Sequence, residues 1–350
     1  MRVGLCMSCA ERCEPTGAQH GASTRREMMR NRAIHHAKRG AKRLFPRAQV
    51  PPVGPARVHC NAWLTAPPSQ DTPPSALVLL NTPPRPASAL RQLWSLSSYR
   101  VCADAAANRL RDSLQLAMGT ESMVSGDPAA LRQRLEKLQH ISRMHESMVP
   151  DAVTGDFDSI RPDVLDFYRQ RGCTIAHDPD ANHTDFEKSL RLVEEAQAAA
   201  QRSTARQGRW TVVAFGAFGD RFDHELASIN VLHRYRKFSR LILMGERMTA
   251  CLLMPGRHVL MPNALIEGPT CGLLPIGGSV DGVWTSGLRW NLRGERLQFG
   301  DLVSSSNQML SEESGGIMPI SVTTTHPLVW TTVLRPDGWP HAGTDSIRPR

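Results

Sequence analysis

Apolar runs alternating with amphipathic stretches fill the first half of the folded chain, and the second half keeps only short runs. ALVLL at 76–80 has no polar break, as expected of a strand buried on both faces of a parallel sheet. A helical stretch at 85–97 follows, then a second strand, YRVCA at 99–103, and a helix opening near Asn108. After a short apolar run at 148–153 come a helix at 162–171, a strand at 173–177 and a helix at 186–200, with Thr184 as its N-cap. A strand at 211–215, a helix from Arg221 onward and a strand at 240–244 complete the series. This alternation predicts a doubly wound, mostly parallel α/β sheet. Beyond about residue 248 the helical period is lost. Runs at 251–254, 258–261, 271–276, 280–285, 297–299, 317–322 and 328–334, parted by Gly and Pro turns, predict an all-β sandwich.

The same pattern sets the expected boundaries. Residues 1–74 form a basic Pro/Arg-rich extension without sustained period, read as disordered. Residues 75–247 form the α/β domain, with a helical insertion at 112–147 whose Leu131, Leu135, Leu138 and Ile141 share one face. Residues 248–335 form the sandwich and 336–350 a tail.

Charge changes this picture little. Residues 1–60 hold 12 Lys/Arg against 3 Asp/Glu, which accounts for the whole net charge of +9 and leaves a neutral body of 30 against 30. A nucleic-acid partner is therefore not expected of the folded part. No apolar run approaches the roughly 20 residues that span a bilayer, so no membrane partner is expected either. The eight cysteines are scattered, those of the body in apolar surroundings, as free thiols of a reducing, cytoplasmic compartment would be. Cys6, Cys9 and Cys13 have no nearby set that completes a zinc site. The arm at 25–47, basic and poor in acids, has the character of an organelle-targeting peptide, and a disordered extension is the other reading.

The chemistry is concentrated at the ends of the predicted strands. Asn81, Asp104, Asp156, Asp158, Asp178, Asp185 and Asp223 each follow a strand, which places them on the carboxyl edge where open α/β sheets bind ligands. In an extended segment Asp156 and Asp158 point the same way about 6–7 Å apart. Their repulsion there is about 2.5 kcal/mol at an effective dielectric near 20. So many acids on one edge call for a divalent cation, Mg²⁺ when phosphates share the site. Arg221 offers a fork for phosphate oxygens, and the helix start at Thr184 and Asp185 offers free N–H groups. No Walker A or G-x-G-x-x-G sequence is present. In the β half, Trp290 and the serine-rich loop ending at Ser306 and Asn307 could stack on and hydrogen-bond a flat heteroaromatic ring.

These residues, in this order, resemble a known family. ADAAANRL at 103–110, GDFDSIRP at 155–162, HTDF at 183–186 and GDRFD at 219–223 are similar to the motifs of thiamine pyrophosphokinases of the eukaryotic type. CGLLP at 271–275, GLRWNL at 287–292, FGDLVSSSN at 299–307 and HPLVWT at 326–331 resemble the same family's thiamine-binding domain. The resemblance spans about residues 76–334. It implies a homodimer with active sites between subunits and Mg²⁺-dependent transfer of the diphosphate of ATP to the hydroxyl of thiamine, giving thiamine diphosphate and AMP. By the same resemblance, Asp156, Asp158, Asp185 and Asp223 are catalytic, the first three holding the metal. Asp104, Asn108, Thr184 and Arg221 bind ATP, and Trp290, Ser306 and Asn307 bind thiamine.

Three departures bear on activity. The family has Asp-Gly-Gly-Ala-Asn where this chain has alanine at 105 and 106, a cost if either position needs a positive φ. Ala181 and Asn182 replace a Gln and an Asp, and Ala217 and Asp220 stand where glycines are common. The alanine pair and Asn182 motivate one alternative, a catalytically weakened relative that binds thiamine or a nucleotide; a diphosphotransferase for a related heterocyclic alcohol is a further one.

Overall fold

The computed structural model describes residues 54–67, 74–119, 148–203, 208–312 and 316–340. The basic arm before residue 54, the Cys6, Cys9 and Cys13 triplet, most of the 112–147 insertion and residues 341–350 of the tail lie outside the described residues.

Six parallel strands form the α/β half: β2 (Ser75–Leu79), β3 (Tyr99–Ala103), β4 (Ala152–Gly155), β5 (Thr174–His177), β6 (Thr211–Phe215) and β7 (Arg240–Met244). Their spatial order is β7-β6-β2-β3-β4-β5, so the chain steps outward from β2 to β5 and then crosses back to β6. Alternate residues of each strand face opposite sides. Leu77, Leu79, Cys102, Val153, Val213 and Phe215 pack with the three helices α1 (Ala87–Leu96), α2 (Ala106–Gly119) and α3 (Pro162–Arg169). Ala76, Val78, Val101, Ala152, Val212 and Ala214 pack with α4 (Asp185–Ser203) and α5 (Phe222–Arg234). Burial on both faces explains the unbroken apolar runs. Helix α4 seats Phe186, Leu190 and Val193, spaced i, i+4, i+7, on the second face. Each such side chain contributes about 1.5–3 kcal/mol.

The sandwich begins without a break in the sheet. Strand β8 (Met248–Leu253) pairs antiparallel with β7, followed by β15 (Leu328–Leu334), β10 (Glu267–Leu274) and β13 (Ser304–Gln308). One ten-stranded sheet therefore runs through both halves, and the expected boundary at 247/248 falls at a hairpin inside it. A second sheet, in the order β1-β9-β14-β11-β12, covers the β8–β15–β10 part. It comprises β1 (Arg57–Cys60), β9 (Gly256–Met261), β14 (Ile320–Thr324), β11 (Val280–Ser286) and β12 (Arg293–Leu297). Between the sheets lie Leu253, Leu260, Leu273, Val283, Leu297, Val322 and Trp330.

Two segments differ from the sequence expectation. Residues 57–65, assigned to the extension, belong to the folded body: β1 pairs parallel with β9, and the short 3₁₀ turn Ala62–Thr65 buries Leu64 to 1% exposure in the helix-side core. The pattern concealed this because three of the four β1 residues are exposed at a sheet edge. Ser304–Gln308, read as a loop, is a strand whose buried Ser304 and Asn307 are held by hydrogen bonds rather than by apolar contact. Among the described residues, no helix is long and apolar enough to cross a membrane.

Candidate active site

The carboxylates gather where β3 and β4 end. Oxygen atoms of Asp104, Asp156 and Asp185 all lie within 4.8 Å of one another. Asp104, only 4% exposed, turns off β3 at φ 42°, a left-handed conformation that Asp tolerates better than most residues. Its Oδ1 is buried with no hydrogen-bond partner among the described residues. Burial, then the Asp185 carboxylate, push its acid up to about 6 against the opposing bond from Ala105 N–H. Gly155 lets the two strand ends meet: a Cβ there would lie 2.7 Å from Asp104 Cβ and 3.2 Å from Asp185 Oδ1.

Asp158 is not in this group, and the extended geometry expected of the D-x-D pair is not formed. Strand β4 ends at Gly155 and Phe157 adopts φ 62°, so residues 156–158 are not extended and their side chains do not alternate. The turn is set by neighbours. Asp158 N–H donates to Asp156 Oδ1 at 3.3 Å, His177 Nε2 lies 3.1 Å from Asp156 O, and the Phe157 ring packs on that of His177. The Asp158 carboxylate accepts the Ser159 hydroxyl at 2.5 Å.

Several expected ligand residues are occupied in supporting this loop and helix. Asn108 donates to Ser159 O and accepts from Arg161 N–H, each at 3.0 Å, and so ties α2 to the acidic loop. Thr184 and Glu187 form a reciprocal capping box: Thr184 N–H donates to Glu187 Oε2 at 3.0 Å and Glu187 N–H to Thr184 Oγ1 at 3.3 Å. The box fixes Asp185 at the start of α4, where the helix dipole favours its charge. Arg221 and Asp223 pair with each other, 63% and 64% exposed, and neither joins the three-carboxylate group. Both stand at the mouth of α5, in the chain that leaves β6.

Lys188 escaped the sequence reading although it sits one helical turn after Asp185, the spacing at which an opposite charge meets its partner. Its Nζ lies 3.0 Å from Asp185 Oδ1 and its side chain is 2% exposed. Burial opposes its charge, but the bond to Asp185 and the fields of Asp185, Asp156 and Asp178 outweigh this and raise its pKa. A second feature also emerged only in three dimensions. A cavity of about 480 Å³ opens at the carboxyl ends of β2 and β6, where the strand order reverses, lined by Thr82, Arg85, Gly216, Phe218, Glu225 and Arg247 among others.

The alanine replacements carry no backbone penalty. Neither Ala105 nor Ala106 is among the residues of positive φ; Ala105 O accepts Asn108 N–H at 3.0 Å, and Ala106 opens α2. Ala217 and Asp220 likewise have ordinary φ.

In the sandwich the three expected thiamine residues separate into two roles. Trp290 is 56% exposed with the Arg289 guanidinium 5.0 Å from its ring centre, and Ser306, at φ 56°, is exposed. Asn307 is buried instead. Its Nδ2 donates to Trp290 O at 2.9 Å and its Oδ1 accepts Trp290 N–H at 3.3 Å, so it holds the Trp290 loop and has little left for a ligand.

Comparison with known proteins agrees with both halves. Residues 90–244 match the family model "Thiamin pyrophosphokinase, catalytic domain", and 257–329 match "Thiamin pyrophosphokinase, vitamin B1 binding domain". The chain is 35% identical over 251 residues to thiamine pyrophosphokinase 2 of Arabidopsis thaliana, covering 71% of this chain and 82% of that protein. It is 36% identical over 251 residues to thiamine pyrophosphokinase 3 of Oryza sativa subsp. japonica, covering 70% and 82%. The fold is that of the solved yeast thiamin pyrophosphokinase, at a TM-score of 0.63 and 20% identity over 85% of this chain and 97% of that one. With both domain models matched in order, and with relatives this similar over most of their length, the chain belongs to the thiamine pyrophosphokinase family.

Proposed function

We propose that the carboxyl edge of the parallel sheet is where this enzyme binds ATP with Mg²⁺ and transfers its diphosphate to thiamine, giving thiamine diphosphate and AMP. The activity follows from the family; the placement of its parts on these residues is our reading. The observation that carries it is the trio Asp104, Asp156 and Asp185 within 4.8 Å, with the orphaned buried Asp104 Oδ1 between strand ends. Three carboxylates gathered around the single positive charge of Lys188 keep a net negative charge that fits a hard divalent cation. Mg²⁺ held there would supply charge neutralisation for the phosphate oxygens.

The protein's own groups do the positioning. Lys188 holds Asp185 in place and offsets the negative charge of the group. Gly155 keeps the strand ends in contact, and the Asn108 bonds fix the 155–161 loop against α2. Asp158, outside the trio, is the carboxylate available to take the proton of the attacking hydroxyl. Arg221 and Asp223 are an exposed pair at the α5 entrance, and on this reading Arg221 exchanges Asp223 for phosphate oxygens. The cavity between β2 and β6 accommodates the rest of the nucleotide. Trp290 and Ser306 receive thiamine, with Asn307 as their support.

The sheet order argues for a homodimer. The Trp290 loop is bonded to β13, the first strand of the ten, while Asp104 and Asp156 follow the eighth and ninth. Seven strand spacings of about 4.8 Å put these two regions roughly 34 Å apart along the sheet, so one chain does not close thiamine onto its own acids. A second copy supplying Trp290 would. For the binding-only alternative, the alanines at 105 and 106 supply no backbone strain, and Asn182 is left as its motive.

The test is an assay with ATP, Mg²⁺ and thiamine, followed by mixing the dead variant Asp185→Asn with the thiamine-weakened variant Trp290→Ala at a thiamine concentration well below the latter's KM. AMP and thiamine diphosphate should form, and mixed dimers should regain activity at the one intact site. Absence of both products from folded protein would sink the active-site reading, whereas turnover without complementation would sink only the shared site.

A further inference from the structure

The opposite edge of the parallel sheet holds a second cavity, of about 560 Å³, that the reaction does not use. Its wall includes Arg57, His59 and Cys60 of β1, Trp63, and Ser239 and Arg240 at the start of β7. Strands β6 and β7 begin here and end at the catalytic edge. Five residues at about 3.3 Å each separate the two regions by roughly 17 Å of sheet.

The lining contains no Asp or Glu, and two arginines. Among the described residues neither arginine forms an ion pair. Arg57 has no side-chain partner there. Arg240 is satisfied only by neutral groups, Nη1 donating to Asn61 Oδ1 at 2.6 Å and Nη2 to Cys251 Sγ at 3.5 Å, while its Nε is buried with no partner. Asn61 turns its Nδ2 to the buried Glu267, so that carboxylate reaches Arg240 only through the amide. His59 does not contribute a charge. His258 Nε2 lies 2.6 Å from Met254 O and so carries its proton there, which makes His258 Nδ1 the acceptor for His59 Nε2–H at 2.9 Å. His258 is then neutral, and burial followed by the neighbouring Arg240 pushes His59 down to about 3, so it is neutral as well. Two uncompensated guanidinium groups, one with a buried N–H lacking an acceptor, beside a half-buried Trp and a hydroxyl, form a built anion site. The volume is that of a small-molecule pocket rather than a single-ion site.

We propose that this amino-edge cavity binds a small phosphorylated molecule carrying an aromatic ring, its phosphate between Arg57 and Arg240 and its ring against Trp63. The site is separate from the catalytic carboxylates and is closed on one side by β1, the segment that sequence pattern assigns to the extension.

Removing divalent cations isolates it, because the catalytic acids then repel anions. In EDTA, AMP and thiamine diphosphate are titrated into the whole protein by calorimetry, with inorganic diphosphate as the ring-free control. Alkylation of Cys60, an exposed thiol in the lining, is followed by peptide mapping. One ligand per chain should bind, Cys60 alkylation should slow several-fold, and Arg57→Glu should weaken binding at least tenfold while leaving turnover intact. Asp185→Asn should leave this binding unchanged. Tighter binding of AMP identifies a purine nucleotide as the ligand class, and tighter binding of thiamine diphosphate a product ester. Unaltered affinity in Arg57→Glu, loss of binding in Asp185→Asn, or failure of both ring-bearing probes to exceed inorganic diphosphate would overturn the proposal.

Discussion

Replacing Asp104 with Asn should make the cation-free protein more stable while impairing catalysis. Asp104 is 4% exposed, and its acid stands at about 6 against an ordinary 3.8, so the charged form is penalised by about 3 kcal/mol in the fold. Between these two values the unfolded chain has already released a proton that the folded carboxyl retains. Stability therefore falls as pH rises through that window, is fully reduced above about 6, and is unaffected below 3.8. Asn keeps the shape and tolerates φ 42° but carries no charge. It still leaves a buried polar atom unpaired, so the net gain expected at pH 7.5 is about 1–3 kcal/mol. At about 2–4 °C per kcal/mol, circular dichroism should show a thermal midpoint several degrees above wild type in EDTA, with the gap closing near pH 4. Adding Mg²⁺ should raise the wild-type midpoint and move the variant's much less, and the variant's kcat should drop on the order of a hundredfold. A variant less stable than wild type at pH 7.5 without divalent ions, or a gap that does not change with pH, would refute the electrostatic argument.

Leu64→Ala should cost about 2–5 kcal/mol, because Leu64 fills the helix-side core at 1% exposure. An unchanged urea midpoint would return residues 57–65 to the extension. Lys188→Met, of similar length, should lower kcat at least tenfold with a smaller change in KM for thiamine; equal loss in both would make Lys188 merely structural. Trp290→Ala should raise KM for thiamine about tenfold and leave KM for ATP alone, since its exposed ring belongs to the other substrate. A matching rise in KM for ATP would place the ring elsewhere.

Much of this was legible in the chain because burial writes itself locally where an element is surrounded. Strand β2 and the inner residues of β6 and β7, covered on both faces, read as apolar runs, and the acids that follow strands fall on the carboxyl edge whatever the helices do. The Thr184 cap was readable for the same reason: its partner Glu187 is three residues away.

What the sequence could not decide depended on partners distant in the chain. The D-x-D pair was split by a left-handed Phe157, turned where Asp156 and Phe157 meet His177, so Asp104 rather than Asp158 completes the trio. Asn307, a candidate ligand by type, is spent on Trp290, 17 residues before it. The β1 strand has little apolar signal of its own and exists because β9 offers it an edge 199 residues away, at the His59–His258 contact. Composition and periodicity therefore determined the layers and the edge where chemistry occurs. Which carboxylates gather, which amides are already occupied, and where two arginines have no ion-pair partner among the described residues were decided by contacts that exist only after the sheet has closed.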